Sequence, residues 1–451
     1  MSAGVPGAPG DAAPERASIL ATVRDLRATR EHLRSRPVSA VVAALGTAGA
    51  RFLDPEDAIR REALDRLPRT SGLSPEMCEV VLDGMAADWT PERLGELVEI
   101  ELGDPRCLDD LVENEARSTM AVGPALCVQI GAGGVPGVGV TALLRSLLVK
   151  APTLLKPGHG DALLPELYAR SLAEVDEALA RSLAVVCWPS ERQDLLEAAL
   201  GGAEVVVVYG SDETVAAVRA HVPATTRLVA YHHRISVGVV GRDALTRAAA
   251  PATAAALASA VSAYDRRGCV SPQVIFVEEG AACAPAELAD LLARAMEETE
   301  KRWPSGALDP AEASRLHQAR GTAEMMAAAH GGSVHHGGAW TVTWEPRGWP
   351  TVPVAGRFVR VRPIRDATDL PAVLQPLRAH LQTVGIAGLG PRARAVAVAL
   401  GEVGASRVTP FQSVPFPPPW WHHDGRGPLL DLVRWVDLEV TPPGLAARLS
   451  R

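Results

Sequence analysis

Lysine is nearly missing from this 451-residue chain: it occurs only as Lys150, Lys156 and Lys301, and arginine carries almost all of the positive charge. No basic block or tail appears, and Lys+Arg total 45 against 53 for Asp+Glu, a net charge of −8. Nucleic acid is therefore not an expected partner, because phosphate binding needs concentrated cations. Aromatic residues reach only 4%. The six cysteines, Cys78, Cys107, Cys127, Cys187, Cys269 and Cys283, form no CxxC pair and no disulfide framework. A reduced, cytoplasmic protein suits them better than a secreted one. The uncharged run Ala248 to Tyr264 is mostly alanine and contains Pro251, too weakly hydrophobic to span a bilayer, so no integral membrane segment is expected. Residues 1–14 lack the cationic start and apolar stretch of a signal peptide and read as a disordered leader.

What remains is an ordinary globular composition, 47% hydrophobic and 22% charged, in a chain too long for one core. Residues 15–118 read as helical, with apolar positions three and four apart, broken at Pro37, Pro55, Pro68, Pro75 and Pro91. From 119 to 245 short apolar runs alternate with helical patterns: Ala125 to Gly131, Thr153 to Lys156, Ala184 to Trp188, Glu204 to Tyr209, Arg227 to Tyr231 and Ile235 to Val240. That alternation predicts a parallel sheet covered on both faces. Residues 246–405 continue the alternation less cleanly, with a helix over Ala252 to Tyr264, then Cys269, a strand at Gln273 to Val277 and a helix over Pro285 to Arg302. Strands near Thr341 to Trp344 and Phe358 to Pro363 and a helix from Leu370 follow. Residues 406–451 form a tail. Its FQSVPFPPPWW segment (411–421) is too stiff for a flexible linker and is expected to wrap along the body or a neighbouring subunit.

Several stretches carry chemistry. Gly131 to Val140 (GAGGVPGVGV) lies between a strand and a helix, and Gly137 to Ala142 satisfies the G-x-G-x-x-[GA] dinucleotide pattern with Asp161 at the expected interval. The next strand ends in Lys156, a cation for a phosphate or ribose. VVVVYGSDET (205–214) is a buried strand followed by Gly210, the N-cap candidate Ser211 and a helix whose free N–H groups suit an anion. YHHRIS (231–236) places His232 and His233 beside a strand, where histidine suits proton transfer. His330, His335, His336, His422 and His423 show no zinc spacing, and no metal is expected. The most informative stretch is YDRRGCVSPQ (264–273). Gly268 lets the backbone approach a substrate, Pro272 stops a helix from continuing past the thiol, and Arg266 and Arg267 would favour the reactive thiolate of Cys269.

Taken in order, YDRRGCVSPQ, LLKPG, VVYGSDET, YHHRIS and the tail WWHHDG…LVRWVDLE resemble the aldehyde dehydrogenase superfamily. Within it they are similar to fatty acyl-CoA reductases of the bacterial bioluminescence type. The resemblance implies an α/β, aldehyde dehydrogenase-like fold: two doubly wound parallel-sheet domains, a nicotinamide dinucleotide-binding one at 119–245 and a catalytic one at 246–405, with the N-terminal helical region beside them. It implies Cys269 as the acyl-bearing nucleophile, and His233, with His232 second, where aldehyde oxidisers carry a glutamate base. Lys156 would hold the adenine-side ribose or its 2′-phosphate, and Gly210 and Ser211 the pyrophosphate. Gly158, Gly134 and Pro136 complete the implied cofactor-binding set. The family turn has an asparagine amide near the oxyanion where this chain has Gly134. The implied reaction reduces a long-chain acyl-CoA or acyl-protein thioester to the aldehyde with NADPH, NADH being the alternative. An acyl-protein synthetase partner and a homo-oligomer are implied too. The same fold also serves aldehyde dehydrogenases, semialdehyde-forming reductases and non-catalytic acyl binding.

Overall fold

The computed structural model describes residues 15–113, 117–348, 354 and 356–439. The leader 1–14 and the tail beyond 439 lie outside the described residues. The first half is built on a five-stranded parallel sheet, in the order Leu183–Val185, Thr153–Lys156, Cys127–Ile130, Val205–Tyr209, Arg227–Tyr231. Successive strand residues turn to opposite faces. Cys127, Val205 and Val207 thus enter the core under helices Val138–Leu148 and Leu163–Val175. Val128, Ile130, Val206 and Val208 meet helices Arg16–Ala28, Gln193–Leu200 and Asp212–Arg219 on the other side. Burial on both faces explains why VVVV carries no polar residue. The strand order reverses between Cys127–Ile130 and Val205–Tyr209, the crevice where open α/β sheets bind ligands.

The second sheet has seven strands: Ser333–His336, Trp340–Trp344, Arg357–Ile364, Pro272–Glu278, Ile235–Val240, Leu381–Ala387 and Arg407–Pro410. All neighbours are parallel except the first pair. That first strand is flanked by Gly331 and Gly332 on one side and Gly337 and Gly338 on the other. Its His335 pairs with Asp290 at 3.0 Å. Helices Ala250–Ser262 and Pro285–Arg302 cover one face, and Leu370–Leu374 with Ala393–Glu402 the other. The helical region expected at 15–118 is present as Arg16–Ala28, Val38–Ala50, Ala58–Ser71, Pro75–Ala86 and Pro91–Leu102, with proline at the first turn of the last two. The tail returns across this region. Phe416 packs on Gly84, Arg93 stacks over Trp420 at 4.3 Å, and strand Arg434–Leu438 pairs antiparallel with Ser118–Val122. Among the described residues no helix is long and apolar enough to cross a membrane.

Asp161 does not face a ribose. It is 2% exposed and accepts from the backbone N–H of Gly137 (2.7 Å) and Gly139 (2.6 Å), so it caps helix Val138–Leu148. Burial pushes its carboxyl up to about 7, against the two N–H donors. A folded-state value above the unfolded one contributes stability that is full below about pH 4 and lost as pH rises through 7. Relative to Asp161→Asn, the wild type should therefore lose about 2–3 kcal/mol of its advantage between pH 5 and pH 8. Denaturant unfolding of both proteins at the two pH values checks this.

Candidate active site

Helix Ala250–Ser262 ends in a turn where Tyr264 (φ 57°), Asp265 (φ 50°) and Arg266 (φ 60°) all adopt left-handed backbone. None is glycine, so each residue is strained by about 1–2 kcal/mol. Side chains over-determine the turn. Asp265 is buried against Arg357 (Nε 2.9 Å, Nη2 2.8 Å) and accepts from Gly306 N at 2.9 Å, while Arg357 also pairs with Glu300 at 2.7 Å. Tyr264 Oη donates to the Pro415 carbonyl at 2.8 Å. Cys269 follows in a tight turn closed by Ser271 N to Gly268 O at 3.0 Å, just before strand Pro272–Glu278. Its own carbonyl accepts from Ser236 Oγ at 2.6 Å. Gly268 lines the same cavity as Cys269 and is closely packed: a Cβ there would stand 3.1 Å from the Tyr264 ring and 3.3 Å from Ser271 Oγ.

Arg266 and Arg267 do not serve the thiol. Arg266 Nε donates to Gly356 O (2.7 Å), and Arg267 to Ser71 O (2.6 Å) and Ala307 O (3.3 Å), because the strained turn leaves them facing backbone carbonyls of its neighbours. The cation that senses the Cys269 charge is Arg407, bonded to Val414 O at 2.9 Å and lying 5.8 Å over the Trp421 ring. Cys269 is solvent-accessible, yet it lines a largely apolar cavity of about 930 Å³, open mouth included, where surrounding protein replaces most of the water at the sulfur. That desolvation pushes its thiol up to about 11; Asp424 adds to the rise, and the Gln382 amide and the N–H groups of Cys269 and Val270 oppose it. Gln382 is fully buried and donates from Nε2 to Asp424 Oδ1 at 2.8 Å. Arg234 Nε lies 2.8 Å from Asp424 Oδ2, close but misaligned for a hydrogen bond.

The cavity walls come from three places: Met85, Trp89, Leu94 and Leu97 of the N-terminal helices, Val138 to Arg145 of the helix after the glycine turn, and Phe416 to His423 of the tail. His423 stacks on Tyr231 (4.3 Å) and Trp421 (4.7 Å), and burial beside Arg145 and Arg234 holds its imidazole well below the usual range. His233 stands elsewhere. It is exposed, its ring is 6.2 Å from His380, its carbonyl accepts from His380 Nδ1 at 3.2 Å, and it does not line this cavity. His232 bonds Asp212 at 3.2 Å.

The crevice at the first sheet's carboxyl edge gathers the other predicted residues. Lys156 Nζ lies 5.7 Å over the Trp188 ring, and burial lowers its ammonium from the usual value. Among the described residues no carboxylate lies within ion-pair distance of it, so its charge is available to an anionic ligand. Ser211 Oγ caps helix Asp212–Arg219 by accepting from Thr214 N at 3.3 Å, and a Cβ at Gly210 would clash with Thr214 at 2.8 Å. Gly158 serves packing: a Cβ there would meet Gly133 N at 2.2 Å, so the two glycine turns lie backbone against backbone. Pro136 is buried in the first of them. Gly134 is exposed, and a Cβ there would stand 3.4 Å from the Arg267 carbonyl, facing the backbone just before Cys269. Among the described residues no group of three or more His, Cys, Asp or Glu is placed to hold a metal ion.

The profile of the acyl-CoA reductase (LuxC) family matches residues 33–435, taking in both sheets, the Cys269 turn and the tail. The chain belongs to this family. The long-chain acyl-protein thioester reductase of Photobacterium phosphoreum is 25% identical over 249 residues, 53% of this chain and 49% of that one. Its counterpart in Aliivibrio fischeri is 25% identical over 245 residues, 52% and 49% of the two chains. The chain thus spans about half the length of the curated relatives it matches. Among solved structures, a variant of aldehyde dehydrogenase C from Pseudomonas syringae, complexed with NAD+ and octanal, superposes with a TM-score of 0.72 at 12% identity, covering 96% of this chain and 90% of that one. A NAD-dependent benzaldehyde dehydrogenase from Corynebacterium glutamicum gives 0.68 at 13% identity, covering 95% and 92%. The fold is aldehyde dehydrogenase-like.

Reading the residues in order missed Gln382, Arg407, His423 and Asp424 as neighbours of Cys269. The HHD triplet stood in the quoted tail motif, but nothing in it says that the tail folds back to the thiol. Because burial raises the Cys269 thiol, alkylation at this residue should climb about tenfold per pH unit from pH 7 to 10 without levelling near the free-thiol value of about 8.5. Iodoacetamide labelling followed by peptide mass spectrometry measures it.

Proposed function

We propose that this protein reduces a long-chain acyl thioester to the aldehyde through a thioester formed on Cys269. The observation that carries the reading is the Cys269 sulfur opening into an apolar cavity closed by the proline- and tryptophan-rich tail, a volume in the range of ligand sites. The acyl donor is acyl-CoA or an acyl group held on a synthetase protein, the latter in keeping with relatives named acyl-protein thioester reductases.

Cys269 Sγ bonds to the thioester carbonyl carbon, and the bond to the departing CoA sulfur breaks. The thiol proton moves to the neutral His423 imidazole as the S–C bond forms, so no free thiolate need accumulate in a cavity that disfavours it. From there it returns to the departing thiolate. Because His423 lines the same cavity as Cys269 and His233 does not, we assign to His423 the proton-transfer role that resemblance gave to His233. The oxygen that gains charge needs donors, and Gly134 supplies no side chain. The Cys269 N–H and the Gln382 amide, both directed at the Cys269 sulfur, are our candidates for that role; one such donor is worth about two to three powers of ten in rate. The crevice at Lys156, Gly210 and Ser211 suits a nicotinamide dinucleotide: a half-buried cation ends one strand, and a helix N-terminus follows the strand two places away in the same parallel sheet. Such a cofactor, when bound, supplies the hydride that turns the acyl carbonyl into a thiohemiacetal oxyanion. That oxyanion collapses to aldehyde and returns the electron pair to Cys269. Lys156 favours NADPH, with NADH as the alternative, since a cation there accepts an extra phosphate.

Incubation with mass-tagged acyl-CoA should place the acyl group on Cys269 and discharge it as aldehyde only when NADPH or NADH is added. Label that both cofactors leave in place would indicate an acyl-binding protein, and label persisting in Cys269→Ser would place the nucleophile elsewhere. His423→Ala should slow acylation about 10²-fold or more, whereas His233→Ala should change it by no more than about twofold; rapid-quench labelling gives both rates. The opposite order would return the role to His233.

A further inference from the structure

Arg145 is the anomaly of the cavity. It is 7% exposed, its Nε has no hydrogen-bond partner, and among the described residues no carboxylate lies within ion-pair distance of it. The acidic group that feels its charge is Asp88, whose carboxylate is already bonded to Arg93 at 3.0 Å. The Tyr209 hydroxyl accepts a hydrogen bond from the Arg145 guanidinium, and Tyr231 and His423 are its other polar neighbours, none of them a carboxylate. A guanidinium buried without a counter-ion is costly and calls for an anionic partner. Arg145 lines the cavity together with Val138 and Thr141, on one face of helix Val138–Leu148. That helix begins at the glycine turn beside Cys269, so Arg145 sits two turns, about 10 Å, further along it than Val138. Thr141, between them, accepts from Trp89 Nε1 at 3.2 Å. The cation thus stands on the cavity wall beside Asp88, Tyr209 and His423, away from the glycine-turn end.

We propose that this cavity binds a carboxylate carried on an alkyl chain, with Arg145 as its counter-ion and the hydrocarbon lying against Trp89, Leu94, Leu97 and Phe416. The carboxylate belongs either to an unesterified fatty acid or to the far end of an ω-carboxyacyl thioester. Binding itself does not depend on the reductase reading; the substrate version does.

Calorimetric titration of the full chain compares dodecanoate with dodecan-1-ol. Dodecanoate should bind at least tenfold more tightly, Arg145→Met should abolish that preference while still binding the alcohol, and Arg145→Lys should keep part of it. Equal affinity of the wild type for both ligands overturns the proposal, as does a preference that survives in Arg145→Met. The wild-type comparison decides even if the Met variant fails to fold. The source follows from acyl labelling of Cys269. Competition by dodecanoate against dodecanoyl-CoA supports a free acid, whereas faster labelling by the mono-CoA thioester of dodecanedioic acid supports an ω-carboxyl substrate. Absence of all labelling would sink the reductase reading, and the calorimetric preference would still decide this one.

Discussion

The contact between Asp265 and Arg357 holds the candidate active site together. Three successive non-glycine residues in left-handed backbone would relax if left alone, and the relaxed turn would carry Cys269 away from its neighbours. A fully buried guanidinium, shared between Asp265 and Glu300, fixes the turn from below. The arginines that follow fix it from the sides: one reaches Gly356 before its strand, and the other reaches Ser71 at the end of an N-terminal helix. These residues act as guy-lines. Their charge is taken up by carbonyl groups and is not available to ionise a thiol. The Asp265–Arg357 pair is costly to bury, and such pairs are retained where position matters more than stability.

The same logic explains why the sulfur rests protonated. A cavity lined by Trp89, Leu94, Leu97, Phe416 and Trp421 suits hydrocarbon and penalises charge. A hydrocarbon-lined cavity and a free thiolate make opposite demands on their surroundings. The chain meets both by placing a narrow polar seam, Gln382, Asp424 and Arg234, against one side of an otherwise apolar chamber.

The alternation of short apolar runs with helical stretches was enough to read the first sheet, since strands buried on two faces leave a clear pattern; in the second it passed over Leu381–Ala387 and Arg407–Pro410 and counted Ile235–Val240 with the first sheet. The VVVV run and the TLLK run each became an interior strand. The edge strand Ser333–His336 escaped because it is half-exposed and flanked by glycines. Within the site, the legible residues were those that announce themselves locally: a cysteine between a glycine and a proline, and a lysine ending a strand. Partners that only the fold brings close left no such sign. Gln382 is one polar residue in an ordinary strand pattern, and Arg145 one charge in an apolar helix. The glycine turn misled for a related reason. Two glycine-rich loops press against each other, so glycines and an aspartate that fit a dinucleotide pattern are used for backbone packing and for capping a helix.

The tail has a consequence for how the molecule is made. Residues 411 to 423 complete the apolar chamber, and the ribosome releases them long after Cys269 and the helices that form the opposite wall. During synthesis the thiol therefore passes through an interval with no roof over it, in a body whose two sheets are otherwise nearly finished. Closure comes late, and any shortened translation product ending before Trp421 would present an open, greasy trough in place of an enclosed chamber.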